Sequence, residues 1–86
     1  EGPLFDAASN YFSEMTNKEY NRINSIPGEK PSDSRFETID FKGIPKDIKL
    51  LNRGHKQQLL LAIRFGLIEQ MTRGNDPMPI ILDDIL

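Results

Sequence analysis

The sequence predicts a small α/β fold: an N-terminal helix, two or three antiparallel strands, a long buried helix and a parallel core strand. Three observations predict it. Apolar residues recur at helical spacing near the start, polar and apolar residues alternate in the middle, and a long apolar helical stretch precedes a short run of consecutive apolar residues. A chain of 86 residues has room for one modest core around which these elements can pack.

Composition limits the classes of function. The formal net charge is −2, so no overall basic field indicates that this chain itself binds nucleic acid. The absence of cysteine excludes a disulfide framework and a thiolate metal site, and it fits the cytoplasm. The sequence contains no signal peptide and no apolar run long enough to cross a membrane. Because the chain begins at Glu1 rather than Met and stops at Leu86, we expect it to be part of a longer protein.

The first predicted helix spans residues 1–17. Pro3 suits a first helical turn, where its missing N–H costs nothing, and Asn17 tolerates the left-handed conformation that closes many helices. The apolar positions that fall on one face of this helix are Leu4, Ala8, Tyr11, Phe12 and Met15. We expect that face to cover a sheet.

Residues 18–50 are predicted to form strands and one loop. Alternation of polar and apolar residues favours strands at 19–26 and 36–41. Between them, two prolines and a glycine at 27–34 indicate a loop that joins antiparallel strands. Pro45 lacks an N–H, so a third short strand that includes it would lie at an edge of the sheet.

Residues 51–73 are predicted to form a turn and the longest helix. Asn52 is among the best N-cap residues, so the helix is expected to begin with Arg53 as its first residue. Apolar residues then occupy most of its circumference: Leu59, Leu60, Leu61, Ala62, Ile63, Phe65, Leu67 and Ile68. This pattern predicts a central helix that is covered on most sides.

Two features of the C-terminal third favour ligands of opposite charge. A helix N-terminus presents unpaired N–H groups and a positive dipole end, so the turn that contains Gly54 suits an anion. The strand predicted within 78–86 is continuously apolar at Ile80–Leu82, as strands buried in parallel sheets are, and it ends in Asp83 and Asp84. Paired carboxylates suit a divalent cation, and phosphate together with magnesium indicates nucleotide chemistry.

These motifs resemble those of one family. Leu51-Asn52-Arg53-Gly54-His55 is similar to the signature motif of ABC-type ATPases, Leu-Ser-Gly-Gly-Gln, in the Leu-Ser-Arg-Gly-Thr form of SMC-like proteins. Residues 79–84 resemble the Walker B strand in the Asp-Asp variant of YhaN-type and SbcC-type coiled-coil ATPases. Residues 8–51 are similar to the part of those proteins that precedes the signature. The resemblance implies that residues 1–86 are a partial C-terminal lobe of a P-loop NTPase head.

The resemblance also implies roles for individual residues. In this family the signature turn of one head contacts the γ-phosphate of ATP held by a second head, which assigns nucleotide binding in trans to Asn52, Arg53, Gly54 and His55. Asn52 stands at the family's serine position, and His55 stands at a Gln or Thr position.

The two acids of the predicted strand receive roles in the same way. Asp83 would bind Mg²⁺ through water, and Asp84 would polarise the attacking water where most relatives have a glutamate. Aspartate is one methylene shorter, which implies slow hydrolysis or a different water position.

The resemblance implies ATP-gated engagement of two heads in DNA repair, maintenance or defence, in the cytoplasm. No Gly-x-x-x-x-Gly-Lys-Ser/Thr loop occurs, so ATP and Mg²⁺ require the N-terminal Walker A lobe of the same protein, and this chain alone is expected to be inactive. The expected partners are that lobe, a second head in a homodimer, DNA and a nuclease subunit, with no membrane. DNA contact follows from the resemblance alone, because the basic residues are scattered along the sequence and favour a solvated surface: Arg35, Lys42, Lys46, Lys49 and Arg53.

Alternatives remain open. The chain could be a non-catalytic interaction module, in which the helix and the Asp-Asp strand serve only packing, or part of another P-loop ATPase such as an OLD-type nuclease. At the level of residues, Asn52 could act only as an N-cap, and His55 could be a first-turn surface residue rather than a ligand. Asp83 and Asp84 could simply begin a loop.

Overall fold

The described part of the chain, residues 2–30, 33 and 35–74 of a computed structural model, contains two helices and a three-stranded antiparallel sheet. The elements in chain order are α1 (Pro3–Met15), β1 (Tyr20–Ile26), β2 (Arg35–Asp40), β3 (Pro45–Asp47), a 3-10 helix (Ile48–Leu50) and α2 (Arg53–Thr72). The predicted α/β class and the order of these elements are confirmed. The parallel strand predicted within 78–86 lies outside the described residues.

Helix α1 begins and ends as its sequence predicts. Pro3 occupies its first turn, and Asn17 just beyond its end has a positive φ of 54°. The Thr16 hydroxyl donates to the Phe12 carbonyl at 2.9 Å and accepts from the Tyr20 N–H at 3.2 Å. Thr16 therefore closes the helix and fixes the start of β1 with a single side chain.

The sheet has the order β1-β2-β3, with β1 paired to β2 and β2 paired to β3. Gly43 has a φ of 79° in the turn between β2 and β3, a conformation that glycine adopts without strain. The Asp40 carboxylate accepts from the main-chain N–H groups of Lys42 and Ile44 in the same turn, at 2.8 and 2.9 Å. Pro45 begins β3 at the edge of the sheet, which confirms its predicted place.

The core joins the inner face of the sheet to both helices. Among the largest fully buried side chains are Phe12, Ile23 and Leu59, one each from α1, β1 and α2. Aromatic rings fix the contact between α1 and the sheet, because Phe12 stacks on Tyr20 at 5.4 Å and Phe5 stacks on Phe36 at 5.3 Å between ring centroids. Burying each large side chain contributes about 1.5–3 kcal/mol.

Helices α1 and α2 cross closely at Gly66. A Cβ atom built on Gly66 would lie 3.1 Å from the main-chain nitrogen of Ala8 and 3.3 Å from the carbonyl oxygen of Leu4. Closer to the start of α2, the Gln58 amide donates to the Met15 carbonyl at 2.9 Å, which satisfies an acceptor at the C-terminal end of α1. The crossing therefore depends on small residues where the backbones meet.

The prediction that α2 is buried on most sides is wrong for the described residues. Its buried positions, Leu59, Ala62, Ile63, Gly66 and Gln70, share one side that faces α1 and the core. The opposite side is apolar yet exposed, with relative exposures of 42% for Leu61, 40% for Phe65, 59% for Ile68 and 63% for Met71. An apolar residue is buried only where another element packs on it, and α1 packs along one side of α2. Over the described residues, neither helix combines the length and hydropathy that crossing a bilayer requires.

Candidate functional site

The start of α2 is anchored by Leu51 and capped by Asn52, the two residues that precede the helix. Leu51 is buried in the core, while Asn52 is exposed and has extended backbone angles. The Asn52 side-chain oxygen accepts a hydrogen bond from the His55 N–H at 2.8 Å, and its main-chain oxygen accepts from the Lys56 N–H at 2.9 Å. Asn52 is therefore the N-cap of α2, as predicted.

Gly54, in the first turn, faces solvent. The nearest atom to a Cβ built on it, apart from its chain neighbours and the local helix backbone, is the Asn52 side-chain oxygen at 3.5 Å, an ordinary contact distance. The fold therefore does not require glycine here, and alanine would raise helix propensity by up to about 1 kcal/mol. A glycine that costs helical stability without a packing reason leaves space for a group that approaches the backbone.

The main-chain donors beside Gly54 are available. The first N–H groups of a helix have no partner within the helix. Asn52 satisfies the His55 N–H, whereas within the described residues the N–H groups of Arg53 and Gly54 donate no hydrogen bond. These two donors and the positive end of the helix dipole can bind an anion that approaches Gly54.

His55 turns inward from the same turn. Its ring packs edge-on against Tyr20 with 5.0 Å between ring centroids and 82° between ring planes. Its Nε2 lies 3.6 Å from a carboxylate oxygen of Glu19, and its side chain is 19% exposed. His55 thus joins the start of α2 to the start of β1, a structural contact that the sequence did not predict.

Three basic side chains converge beside this turn. Lys49, Arg53 and Lys56 line a groove of about 390 Å³ whose other walls include Ile48, Leu59 and Leu60. We call this the basic groove. The sequence suggested only scattered charges here and did not single out Lys56, although its i, i+3 spacing from Arg53 places both residues on one helix face. Lys49 comes from the 3-10 helix, so only the tertiary structure brings it to the pair.

A second hollow lies on the other side of Gln57. It has a volume of about 500 Å³ and is lined by Asn52, Gly54, His55, Gln57, Gln58 and Leu61. The four residues predicted to bind nucleotide in trans therefore divide between two neighbouring surfaces. Asn52, Gly54 and His55 line this second hollow, and Arg53 lines the basic groove.

The predicted catalytic Asp84 and metal-binding Asp83 lie outside the described residues. No distance therefore relates either carboxylate to Gly54, and both roles stay predictions. Within residues 2–30, 33 and 35–74, no group of three or more histidine or acidic side chains is placed to hold a metal ion.

The far end of α2 carries a different surface. Phe65 and Ile68 line a hollow of about 380 Å³ together with Tyr11, whose hydroxyl donates to the Glu69 carboxylate at 3.1 Å. That hydrogen bond, together with weaker contributions from burial and the negative charge of Glu69, raises the pKa of Tyr11, while Arg73 acts in the opposite direction. This end of α2 is mainly apolar with a polar rim, so it suits protein contact better than phosphate.

Comparison with known proteins yielded no matching family model and no matching curated protein.

Proposed function

We propose that this chain is part of an SMC-like ATPase head, in which the start of α2 contacts the terminal phosphate of ATP held by a second head. The observation that supports this most is the open N-terminus of α2. There Gly54 is exposed, and the fold itself gives no reason for a glycine.

The donors around Gly54 suit a phosphate. The N–H groups of Arg53 and Gly54 add two hydrogen-bond donors to a helix end that carries about half a positive charge. Because the Asn52 side-chain oxygen already accepts from His55, the Asn52 amide keeps its NH₂ group as a further donor. Asparagine at the family's serine position can therefore cap the helix and donate to phosphate at the same time.

The proposed reaction is hydrolysis of ATP to ADP and inorganic phosphate between two engaged heads. Asp84 would polarise the attacking water, and Asp83 would hold Mg²⁺, an ion that prefers carboxylate and water oxygens. Nucleotide would be held by the Walker A lobe of the same protein, and the Gly54 turn would reach it from the second copy. ATP binding would then join the heads, and hydrolysis would release them, in DNA repair, maintenance or defence in the cytoplasm, with DNA and a nuclease subunit as partners.

A second candidate is a non-catalytic interaction module, and the exposed side of α2 favours it. Leu61, Phe65, Ile68 and Met71 present apolar surface of the kind that marks protein contacts. The full sequence of the gene product would separate the candidates. A Walker A loop and heptad repeats before this chain would support the SMC-like ATPase, and their absence would support the module. A cluster of acidic metal ligands after it would point to an OLD-type nuclease.

The experiment measures ATP-dependent association of the protein that contains this chain. Sedimentation should show that Mg²⁺ with ATP converts the wild type from monomers to dimers. Gly54→Asp should abolish this conversion, because a carboxylate at the phosphate position repels the ligand. The fold should survive, since an acid in the first turn of a helix is favourable.

Gly2→Asp is the matched control. Gly2 precedes the first turn of α1, and a Cβ built there meets nothing within 4 Å. The variant adds the same charge at another helix N-terminus and should dimerise like the wild type. Unchanged dimerisation of Gly54→Asp, or no response of the wild type to ATP, would contradict the proposal. Association without ATP that is lost in Ile68→Asp would favour the interaction module.

A further inference from the structure

We propose that the basic groove is a binding site of its own for a short oligophosphate anion. The groove is formed by Lys49, Arg53 and Lys56 over apolar walls from the 3-10 helix and α2. It lies on the opposite side of Gln57 from the Gly54 hollow. The inference does not rest on the proposed ATPase function, because it needs no second head.

The charges in the groove are unbalanced. The whole chain carries a formal net charge of −2, yet among residues 2–30, 33 and 35–74 no acidic residue lines this groove. Within the part of the chain that the structure describes, none of the three basic side chains forms an ion pair; the ion pairs there involve Lys18, Arg22 and His55. Three positive charges around one groove repel one another, and a bound polyanion would remove that repulsion.

The size and chemistry of the groove favour a short chain of phosphates. Its volume of about 390 Å³ falls within the range of about 300–1,000 Å³ for small-molecule sites. A guanidinium can bind phosphate oxygens in pairs, and an ammonium acts as a point charge for phosphate. Three cations match the three or more negative charges of a triphosphate better than the charge of a single phosphate.

The surroundings favour a short ligand over a long polyanion. A nucleic acid would extend beyond the groove onto the rest of the protein surface. Because the protein is acidic overall, repulsion of the nucleic-acid phosphates there would offset their attraction to the groove. Leu60, the one partly exposed apolar side chain among the described residues that line the groove, can also contact a ring attached to the phosphates. Free tripolyphosphate and a nucleoside triphosphate share the chemistry that the groove recognises, and the experiment distinguishes them.

The test is an NMR titration of the ¹⁵N-labelled 86-residue chain at low salt. The probes are inorganic tripolyphosphate, ATP without Mg²⁺, and a hexaglutamate peptide. Both phosphates should shift the main-chain amides of Lys49, Lys56 and Leu60, with a dissociation constant on the order of 1 mM. Tighter binding of ATP than of tripolyphosphate would show that Leu60 contacts the base, and equal binding would show that the phosphates suffice.

Charge-neutralising variants identify the residues that bind. Lys49→Gln and Lys56→Gln should each weaken binding about threefold, as expected for exposed ionic contacts. Arg64→Gln is the control, because Arg64 is exposed on the same helix but does not line the groove. All three changes lie on exposed side chains, so the variants should keep the fold and the amide spectrum of the wild type.

Three results would overturn the inference. Equal loss of affinity in Arg64→Gln and Lys56→Gln would show non-specific attraction. Hexaglutamate binding as tightly as tripolyphosphate would show that phosphate is not the preferred ligand. Shifts confined to Gly54 and His55 would place the anion in the other hollow, which would refute the groove site and leave the proposed ATPase function intact.

Discussion

Two glycines on α2 provide a direct test of the packing. Gly54 and Gly66 both lie within the helix, and replacing either with alanine raises helix propensity by up to about 1 kcal/mol. Their surroundings differ. A Cβ on Gly54 has an ordinary contact at 3.5 Å, whereas a Cβ on Gly66 meets the backbone of α1 at 3.1 Å.

The two substitutions are expected to differ in their effect on stability. Gly54→Ala should raise the free energy of unfolding by about 0.5–1 kcal/mol, because its new methyl group meets little more than solvent. In Gly66→Ala the same gain is opposed by overpacking, which costs about 1–3 kcal/mol where backbone must move. The second variant should therefore be less stable than the first by about 1–3 kcal/mol.

Thermal unfolding followed by circular dichroism measures this difference. For a domain of this size, each kcal/mol changes the melting temperature by about 4–8 °C. Gly54→Ala should melt above the wild type and Gly66→Ala below Gly54→Ala. Equal melting temperatures for the two variants would refute the close approach of α1 and α2 at Gly66.

Further predictions concern individual contacts. Ser9→Ala should lower the free energy of unfolding by about 1–3 kcal/mol in denaturant unfolding, because the buried N–H of Ile23 would lose the acceptor that now lies 2.9 Å away. Ser13→Ala, on the same helix, is the control and should change that free energy by less than about 0.5 kcal/mol. Tyr11 should ionise at higher pH than a tyrosine in the unfolded chain, because its hydrogen bond to Glu69 raises its pKa. The stability that this hydrogen bond contributes is present at neutral pH and is lost as the pH rises through the raised pKa. A ¹³C NMR titration of the tyrosine rings measures this pKa, and stability that falls equally at alkaline pH in wild type and Tyr11→Phe would contradict it. Ile68→Ala should change the free energy of unfolding by less than about 0.5 kcal/mol, whereas Leu59→Ala should lower it by about 2–5 kcal/mol. A large loss of stability in Ile68→Ala would mean that the outer side of α2 is covered.

Local signals in the sequence predicted the helix ends and turns well. Pro3, Asn17 and Asn52 each act through their own backbone or nearest neighbours, so their effects can be read without the tertiary structure. The edge position of β3 follows in the same way from the missing N–H of Pro45. The short 3-10 helix after β3 was not predicted, because its residues carry no distinctive pattern.

Contacts between residues that are distant in the chain could not be predicted from the sequence. The apolar pattern of α2 shows which residues could be buried, but their burial depends on how many elements pack on the helix. The prediction that α2 is covered on most sides was wrong for this reason. The contact between His55 and Tyr20, and the arrival of Lys49 beside Lys56, depend on how separate elements meet. At the candidate site, the Asn52 cap is confirmed and Gly54 is exposed, while the nucleotide roles stay predictions.

We propose that the Gly54 turn of one copy contacts the terminal phosphate of ATP held by another. Crosslinking in a mixed dimer tests this contact, with an ATP analogue that carries a photoreactive group on its γ-phosphate. One copy keeps its ATP-binding loop and carries Gly54→Asp, and the other lacks the loop but has an intact Gly54. If the heads share ATP in this way, a crosslink should form within residues 52–55 of the copy that cannot bind ATP by itself. A crosslink found only in the ATP-binding copy would contradict it.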